Sequence, residues 1–238
     1  MHFEDFTVGQ RSTAPCGTVT EEDLATFGDL LGQVLARRHA PPGEVTGAQW
    51  RRHGGLRAGD TPRCEVTTTR CARSGEAALV TAHVALRTST LVEEGSLTVA
   101  VPARTTDPVR PGRAFGTLGW AEALADRLGA DQAFTAATAT WDGTLGLRCG
   151  DAEVHLRIYR GRIVDVTRRT PHGATFTVGA SELTWTDLVT GPDGDFLRAA
   201  MRGAFEVTGS GYEYLRLTKV LDLVVGHARA LARDEEDR

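Results

Sequence analysis

The sequence predicts an α+β protein of two domains, and three observations support this class. In the first half, one short helix precedes three runs that alternate as β-strands do. The second half follows the order helix, helix, strands, helix, helix, strand and one long amphipathic helix. Between the halves lies a proline-rich stretch without an apolar period, which is typical of a linker. We therefore predict a domain over 1–104, a linker over 105–115, a second domain over 116–233 and a disordered tail over 234–238.

Local signals define the elements of the first half. Thr20 is a helix cap with Asp23 at the third position, and an apolar stripe follows them. The predicted strands are Thr61–Arg70, Ala77–Thr88 and Ser96–Pro102. Turns are predicted at Ser74-Gly75 and Glu94-Gly95. One face of the last strand is apolar and consists of Leu97, Val99 and Val101.

The second half ends in a helix whose apolar face is unusually wide. Ser210 and Glu213 match a capping box, in which Glu213 reaches back to the Ser210 N–H. Beyond them, apolar residues recur at helical spacing: Tyr214, Leu217, Leu221, Val224, Ala228 and Leu231. Three further residues widen this stripe: Val220, Leu223 and Val225. Such a width indicates either a partner surface or an apolar cavity.

Composition sets limits on the function. The chain has 238 residues, of which 41% are hydrophobic and 24% charged, enough for a packed core. A net charge of −4 without a Lys/Arg-rich run argues against nucleic-acid binding. The 4 cysteines lack metal-ligand spacing, which favours free thiols and no metal. The N-terminus lacks a signal pattern and no apolar run is long enough to span a membrane, so we expect a cytoplasmic protein.

The first half resembles the MaoC-like hotdog dehydratases. The residues that carry this resemblance are His2–Gln10, Thr18–Leu24, Leu56–Thr61, Leu91–Gly95 and Val99–Arg104. The resemblance implies an antiparallel sheet around a long central helix. It also implies an acid–base pair of Asp and His, in a G-D-x-N-P-x-H pattern, that hydrates an enoyl thioester.

This chain departs from that pattern where the chemistry resides. Gln33 replaces the aspartate, and an amide cannot cycle a proton. His39 falls one residue late, and the Asn-Pro pair is missing. Between Gly32 and Leu56 the chain is several dozen residues shorter than the family expects, which removes the central helix. We therefore predict a truncated hotdog-like sheet domain that does not carry out standard enoyl hydration.

The loss of that helix leaves an apolar sheet face to be covered. Burial of such a face is worth about 25 cal/mol per Å². The covering element is the second domain, a second subunit, or the short segment Val45–His53 with Trp50 as a plug. We predict that the two halves pack closely or that the protein dimerises through this sheet.

The second half resembles the sterol carrier protein 2 family of lipid-binding domains. The resemblance is carried by Trp120–Leu124, Trp141–Thr144, Arg160–Arg162 as a hairpin turn, Met201–Gly203, Phe205–Gly209 and the final helix. It implies a five-stranded sheet and a long C-terminal helix that enclose an apolar tunnel. The implied lining residues are Phe134, Trp141, Phe205, Leu217, Leu221 and Val224, with Arg157 or Arg216 meeting an anionic head group.

Polar side chains suggest one catalytic alternative. His39 with Glu44 or Asp29 would form a relocated acid–base pair, although residues beside a Pro-Pro-Gly turn are commonly solvated loop residues. His155 alternates with the apolar residues of its strand, so we expect it on the surface or in a groove.

Three functions follow from these patterns. The leading one is binding or presentation of a hydrophobic small molecule of acyl, polyketide-like or sterol-like type, as in natural-product biosynthesis, with the first domain as scaffold. The second is a cofactor-independent dehydratase, isomerase or cyclase that acts on a carrier-bound acyl intermediate. The third is a non-catalytic subunit of a hotdog hetero-oligomer. We expect no metal and no organic cofactor for any of them, and either a homodimer or a complex with a hotdog partner protein.

Overall fold

The computed structural model of the chain describes residues 1–74, 77–107, 109 and 115–233. The chain forms two compact units, Met1–Pro108 and Val109–Arg238, and each holds one five-stranded sheet. The predicted α+β class is confirmed. The boundary falls within the segment predicted as a linker, most of which lies outside the described residues. The predicted tail and Gly75 of a predicted turn also lie outside them.

The first unit is an antiparallel sheet with short helices. Its strands are β1 (Arg11–Pro15), β2 (Glu44–Arg52), β3 (Arg63–Ser74), β4 (Ala77–Arg87) and β5 (Leu91–Val101), in the order β1-β3-β4-β5-β2. Its helices are α1 (Glu21–Phe27) and α2 (Leu31–Arg37), joined by a 3-10 turn. The three predicted strands are the central ones, and the edge strands β1 and β2 add to them. These edge strands are largely exposed, so their sequences lack the alternation of a half-buried strand.

The predicted turn at Glu94-Gly95 is wrong. Both residues lie inside β5, and the chain turns between Arg87 and Leu91 instead. Gly95 pairs with Trp50 of β2, and a Cβ at this glycine would overlap with the Trp50 ring. The glycine therefore permits close packing between strands and does not mark a turn.

Short helices cover part of one face of the first sheet. The predicted cap of α1 is confirmed: the Asp23 N–H donates to Thr20 Oγ over 3.1 Å, and the Thr20 N–H donates to the Asp23 carboxylate over 2.9 Å. Helix α2 contacts β4 and β5, and its Leu31 and Leu35 side chains are buried. Trp50 is only half-buried at the β2 edge. The unit is thus a five-stranded antiparallel sheet with short helices packed on it, in which α2 is a helix of 7 residues.

The second unit has the predicted order of elements. Its helices are α3 (Leu118–Ala130), α4 (Gln132–Ala137), α5 (Glu182–Thr190), α6 (Phe196–Met201), α7 (Gly211–Arg216) and α8 (Thr218–Arg233). Its strands are β6 (Asp142–Cys149), β7 (Ala152–Tyr159), β8 (Arg162–Thr167), β9 (Phe176–Ala180) and β10 (Glu206–Gly209). The sheet order is β10-β9-β6-β7-β8, with β6 and β9 parallel. The predicted hairpin turn is confirmed, with Arg160 at φ 47° and Gly161 at φ 82°.

The long final helix is divided near Leu217, and its capping box is half formed. Ser210 Oγ accepts from the Glu213 N–H over 3.3 Å. The Ser210 N–H, however, donates to the Thr175 carbonyl over 2.9 Å. The Glu213 carboxylate instead lies 3.5 Å from Arg216. The box stays incomplete because the Ser210 N–H, which follows β10, already donates to Thr175, the residue before β9.

The wide apolar face of α8 is buried within the second unit. Helix α8 contacts α3, α4, α5 and α6. Its buried residues are Val220, Leu221, Val224, Val225, Ala228 and Leu231. The width of the stripe follows from this packing on several sides, so it is not evidence for a partner surface. Across the described part of the chain, every helix is too short or too polar to span a bilayer.

Candidate functional site

A cavity of about 430 Å³ opens beside the β10 edge of the second sheet. The end of β6, the end of β9 and the segment that enters β10 line it. Its apolar wall is Phe205, which is partly buried. Its charged residues are Arg148, Asp151 and Glu206. The cavity therefore combines an aromatic wall with a polar opening.

Behind Phe205 runs a row of aromatic rings. The Phe205 ring centroid lies 5.0 Å from Trp185 and 5.2 Å from Phe196. Trp185 in turn lies 5.3 Å from Phe115, which lies 4.2 Å from Trp120. The Trp185 indole N–H donates to the Arg148 carbonyl over 2.7 Å, which holds this ring against β6. Phe205 is thus the member of the row that forms part of the cavity wall.

An ion pair lies at the polar side of this cavity. The Arg148 guanidinium donates to Glu206 Oε2 over 2.6 Å. It lies across Gly179, where a Cβ would meet the guanidinium. Because Glu206 is mostly exposed, an anionic group that enters the cavity can compete with it for the arginine.

The structure places most of the predicted tunnel residues in the core. Five of them are at most 4% exposed and belong to one packed cluster: Phe134, Trp141, Leu217, Leu221 and Val224. Phe205 lines the cavity described above. Arg216 contacts Glu213 and donates to Thr140 Oγ over 3.3 Å. That these residues hold a ligand stays a prediction.

The second sheet carries another cavity, of about 530 Å³, beside the loop before β9. Arg157 lines it together with the loop 170–175. The Arg157 guanidinium donates to the Gly143 carbonyl over 3.0 Å and to the Ile158 carbonyl over 2.6 Å, and it also pairs with Asp142. These three acceptors fix Arg157 at the end of the sheet, so a head group would have to displace an existing partner.

His155 is buried, at 1% exposure, whereas the sequence predicts a surface or groove position. The Thr170 N–H donates to His155 Nδ1 over 3.0 Å. Nδ1 is therefore the unprotonated nitrogen, and Nε2–H donates to Glu153 Oε1 over 2.7 Å. The loop that contains Thr170 lies across this sheet face and packs Ala174 against Gly146. Strand alternation places His155 on the correct face but does not reveal the loop that covers it.

The first unit holds a smaller cavity, of about 260 Å³, lined by residues of α1, α2, β2 and β5. Glu93 of β5 lines it and is only 3% exposed. Burial raises the pKa of the Glu93 carboxyl, while a hydrogen bond from Gln33 and the charge of Arg52 oppose this shift. A buried carboxyl at the wall of a cavity is a candidate acid–base group.

Gly32 makes room for this carboxyl. A Cβ at Gly32 would overlap with Glu93 Oε2. Any larger residue at this position of α2 would therefore displace the Glu93 side chain. Gln33, the next residue, is the hydrogen-bond partner of the same carboxyl. Gly32 thus provides space for the Glu93 carboxyl of β5, and Gln33 provides its hydrogen-bond partner.

Arg52 supplies a positive charge at the same cavity. It is the cross-strand partner of Glu93 in the β2–β5 pairing. Arg52 Nη1 donates to Asp29 Oδ1 over 2.7 Å, and Nη2 donates to the Asp29 carbonyl. Asp29 therefore positions the guanidinium at this cavity. The other walls are largely apolar or glycine: Leu24, Leu31, Leu56, Val92, Gly28, Gly54 and Gly55.

The three predicted catalytic residues do not share one site. Asp29 lines the cavity beside Glu93, whereas His39 and Glu44 are not among its lining residues. Glu44 begins β2 and Arg52, the partner of Asp29, ends it. At a rise of about 3.3 Å per residue, these ends are about 25 Å apart. Asp29 and Glu44 therefore cannot act on the same substrate atom, and a pair of His39 with Glu44 or of His39 with Asp29 stays a prediction.

Glu93 is the site residue that our sequence reasoning missed. The alternation of Leu97, Val99 and Val101, continued towards the N-terminus, passes through Gly95 and reaches Glu93. A charged residue on an apolar strand face was therefore visible in the pattern, but the predicted turn at Glu94-Gly95 interrupted it.

The neighbouring carboxylate has a different environment. Glu94 Oε1 lies 2.9 Å from His53 Nε2, and Glu94 Oε2 lies 3.4 Å from His83 Nε2. Its side chain is 29% exposed.

Within the described ranges, no group of three or more His, Cys, Asp or Glu side chains is placed to hold a metal ion.

No model of a protein family matches the chain, and no curated protein matches it. A crystal structure of sterol carrier protein 2 aligns with a TM-score of 0.43 and 24% identity, over 48% of this chain and 97% of that one. A MaoC-like dehydratase from Rhodospirillum rubrum aligns with a TM-score of 0.39 and 16% identity, over 44% and 99% of the two chains. An R-hydratase from Pseudomonas aeruginosa aligns with a TM-score of 0.36 and 14% identity, over 45% and 94%. The chain is thus similar, each time over half of its length or less, to sterol carrier protein 2 and to hotdog structures.

Proposed function

We propose that the second unit binds a hydrophobic small molecule of acyl, polyketide-like or sterol-like type, with the first unit as its scaffold. One observation carries this proposal. Phe205 forms the wall between a cavity of about 430 Å³ and a row of packed aromatic rings.

The chemistry of the cavity fits an amphiphilic ligand. An apolar chain that packs on Phe205 removes apolar surface from water, at about 25 cal/mol per Å². The Arg148–Glu206 pair offers a cation to an acidic head group at the same cavity. Both features support a fatty acid or a related acyl compound as the ligand.

Binding can be measured with dodecanoate as the probe. Trp185 lies 5.0 Å from Phe205, so its fluorescence should change as the ligand binds. We expect Phe205→Ala to weaken binding by about 10-fold or more, since burial of a phenylalanine side chain is worth about 1.5–3 kcal/mol. Tyr159→Ala is the matched control because Tyr159 is an aromatic residue that is 43% exposed and lies outside this cavity. Equal affinity in the wild type and in Phe205→Ala would rule out this site.

An enzymatic role for the first unit, as a dehydratase, isomerase or cyclase of a carrier-bound acyl intermediate, draws support from one specific observation. This is the buried Glu93 at the wall of the smaller cavity. A scaffold alone does not require a carboxyl in an apolar sheet face.

A further inference from the structure

Glu93 lies on a sheet face that is otherwise apolar. The residues that follow it on this face, Leu97 and Val99, are buried, as is Val84 on the adjacent strand β4. Transfer of a carboxylate from water into such surroundings is unfavourable unless partners compensate for the loss of hydration. Glu93 has one amide partner, Gln33, and Arg52 as its cross-strand neighbour. A leucine at this position would fill the same space without that cost, so packing alone does not explain the carboxyl.

The position of the carboxyl gives it access to a ligand. Glu93 and Gly32 line the same cavity, and Oε2 occupies the space that a side chain at Gly32 would take. With a volume of about 260 Å³, the cavity is near the lower end of small-molecule sites and suits a compact substrate. Its apolar walls favour an uncharged one.

Arg52 adds the second group that proton transfer from carbon requires. Asp29 holds its guanidinium through a side-chain oxygen and a carbonyl oxygen. The Arg52 side chain is 43% exposed, and its positive charge at the cavity stabilises negative charge that develops on a substrate oxygen. Asp29 is in this arrangement a positioning residue for Arg52.

We propose that Glu93 is an acid–base residue that transfers a proton on a small carbonyl compound bound in this cavity, with the carbonyl oxygen directed at Arg52. This inference does not depend on ligand binding by the second unit.

The step balances within the substrate and one side chain. The Glu93 carboxylate takes a proton from the carbon next to the carbonyl, and the electrons of that C–H bond form an enolate. Arg52 stabilises the enolate oxygen by hydrogen bonding. The protonated Glu93 then returns the proton to the same carbon or to a conjugated one, which gives exchange or isomerisation. The reaction consumes no oxidant, reductant or water.

The general-base half of this reaction can be tested with 5-nitrobenzisoxazole, in which removal of one C–H proton breaks the N–O bond and releases a coloured phenolate. We expect the full-length protein to accelerate this elimination, and Glu93→Gln to reduce kcat/KM by about 100-fold or more. Glu94→Gln is the matched control, because Glu94 is the next residue on β5, is more exposed and does not line this cavity. We expect this control to stay within twofold of the wild type.

The pH profile of the wild type provides a second test that needs no variant. The rate should rise with pH through a single ionisation above the usual glutamate value of about 4.3 and then stay level. Equal rates in the wild type and in Glu93→Gln, or a rate without that ionisation, would overturn the proposal. So would an elimination that Glu94→Gln abolishes and Glu93→Gln leaves intact.

Discussion

The cavity beside Glu93 in the first unit and the cavity beside Phe205 in the second unit differ in what they bury. In the first unit, the carboxyl of Glu93 is buried among apolar residues. In the second unit, the Arg148–Glu206 ion pair is partly exposed, and the aromatic Phe205 forms the wall towards the core. An exposed ion pair costs little free energy, whereas a buried carboxyl costs much more. This difference supports our assignment of proton transfer to the first cavity and of ligand binding to the second.

The largest effect that we expect separates the core of the second unit from its cavity wall. Phe134 is fully buried, and Phe134→Ala should lower the free energy of unfolding by about 3–5 kcal/mol, because it leaves a void in a packed core. Phe205→Ala should lower the free energy of unfolding by less, since Phe205 already lines an open cavity. Urea unfolding of both variants measures the difference. Equal costs would mean that the two positions are packed alike, which would remove the contrast between core and wall.

A smaller effect is expected at the space that Gly32 provides in the first unit. Gly32→Ala should lower the free energy of unfolding by about 1–3 kcal/mol, because the added methyl group displaces the Glu93 carboxyl. Gly119→Ala is the control: this helical glycine has no neighbouring atom within 4 Å of an added Cβ, so the change should be neutral or stabilising. Thermal melts of both variants decide between these outcomes. If Gly32→Ala matched its control, the carboxyl would not occupy the position described.

The smallest effect concerns the pH dependence of stability. Since the pKa of Glu93 is raised in the folded state, its contribution is fully present below the unfolded value, about 4.3, and is lost as the pH rises through the folded pKa. The melting temperature of the wild type should therefore fall relative to that of Glu93→Gln as the pH rises above about 4.3. Glu94→Gln should not reproduce this pattern. Parallel melting curves for the wild type and Glu93→Gln would show that burial does not shift the ionisation of Glu93.

Features that depend on near neighbours in the chain were predictable. Thr20 and Asp23 cap a helix through groups three residues apart, and Arg160-Gly161 forms a turn through its own backbone angles. The order of helices and strands in the second unit follows from apolar periods that each element carries by itself. Such signals are local, so the sequence contains them in full.

The predicted turn at Glu94-Gly95 shows where local reasoning fails. Glycine is common in turns, but Gly95 meets the Trp50 ring of a strand that is distant in sequence. His155 is a second example. It is buried, and Thr170, which is distant from it in sequence, donates a hydrogen bond to its ring. Neither contact has a signature within a short window of residues.

By itself, the sequence determined the α+β class, the order of elements in the second unit and the helix cap at Thr20, since each depends on residue type and spacing within a short stretch of chain. Only the tertiary structure decided that Gln33 faces a carboxyl from β5, that Arg52 lies across from it, and that Phe205 lies at a cavity while Phe134 lies in the core. The physical reason is that burial and charge proximity depend on which elements meet, and strand pairing joins residues far apart in the chain.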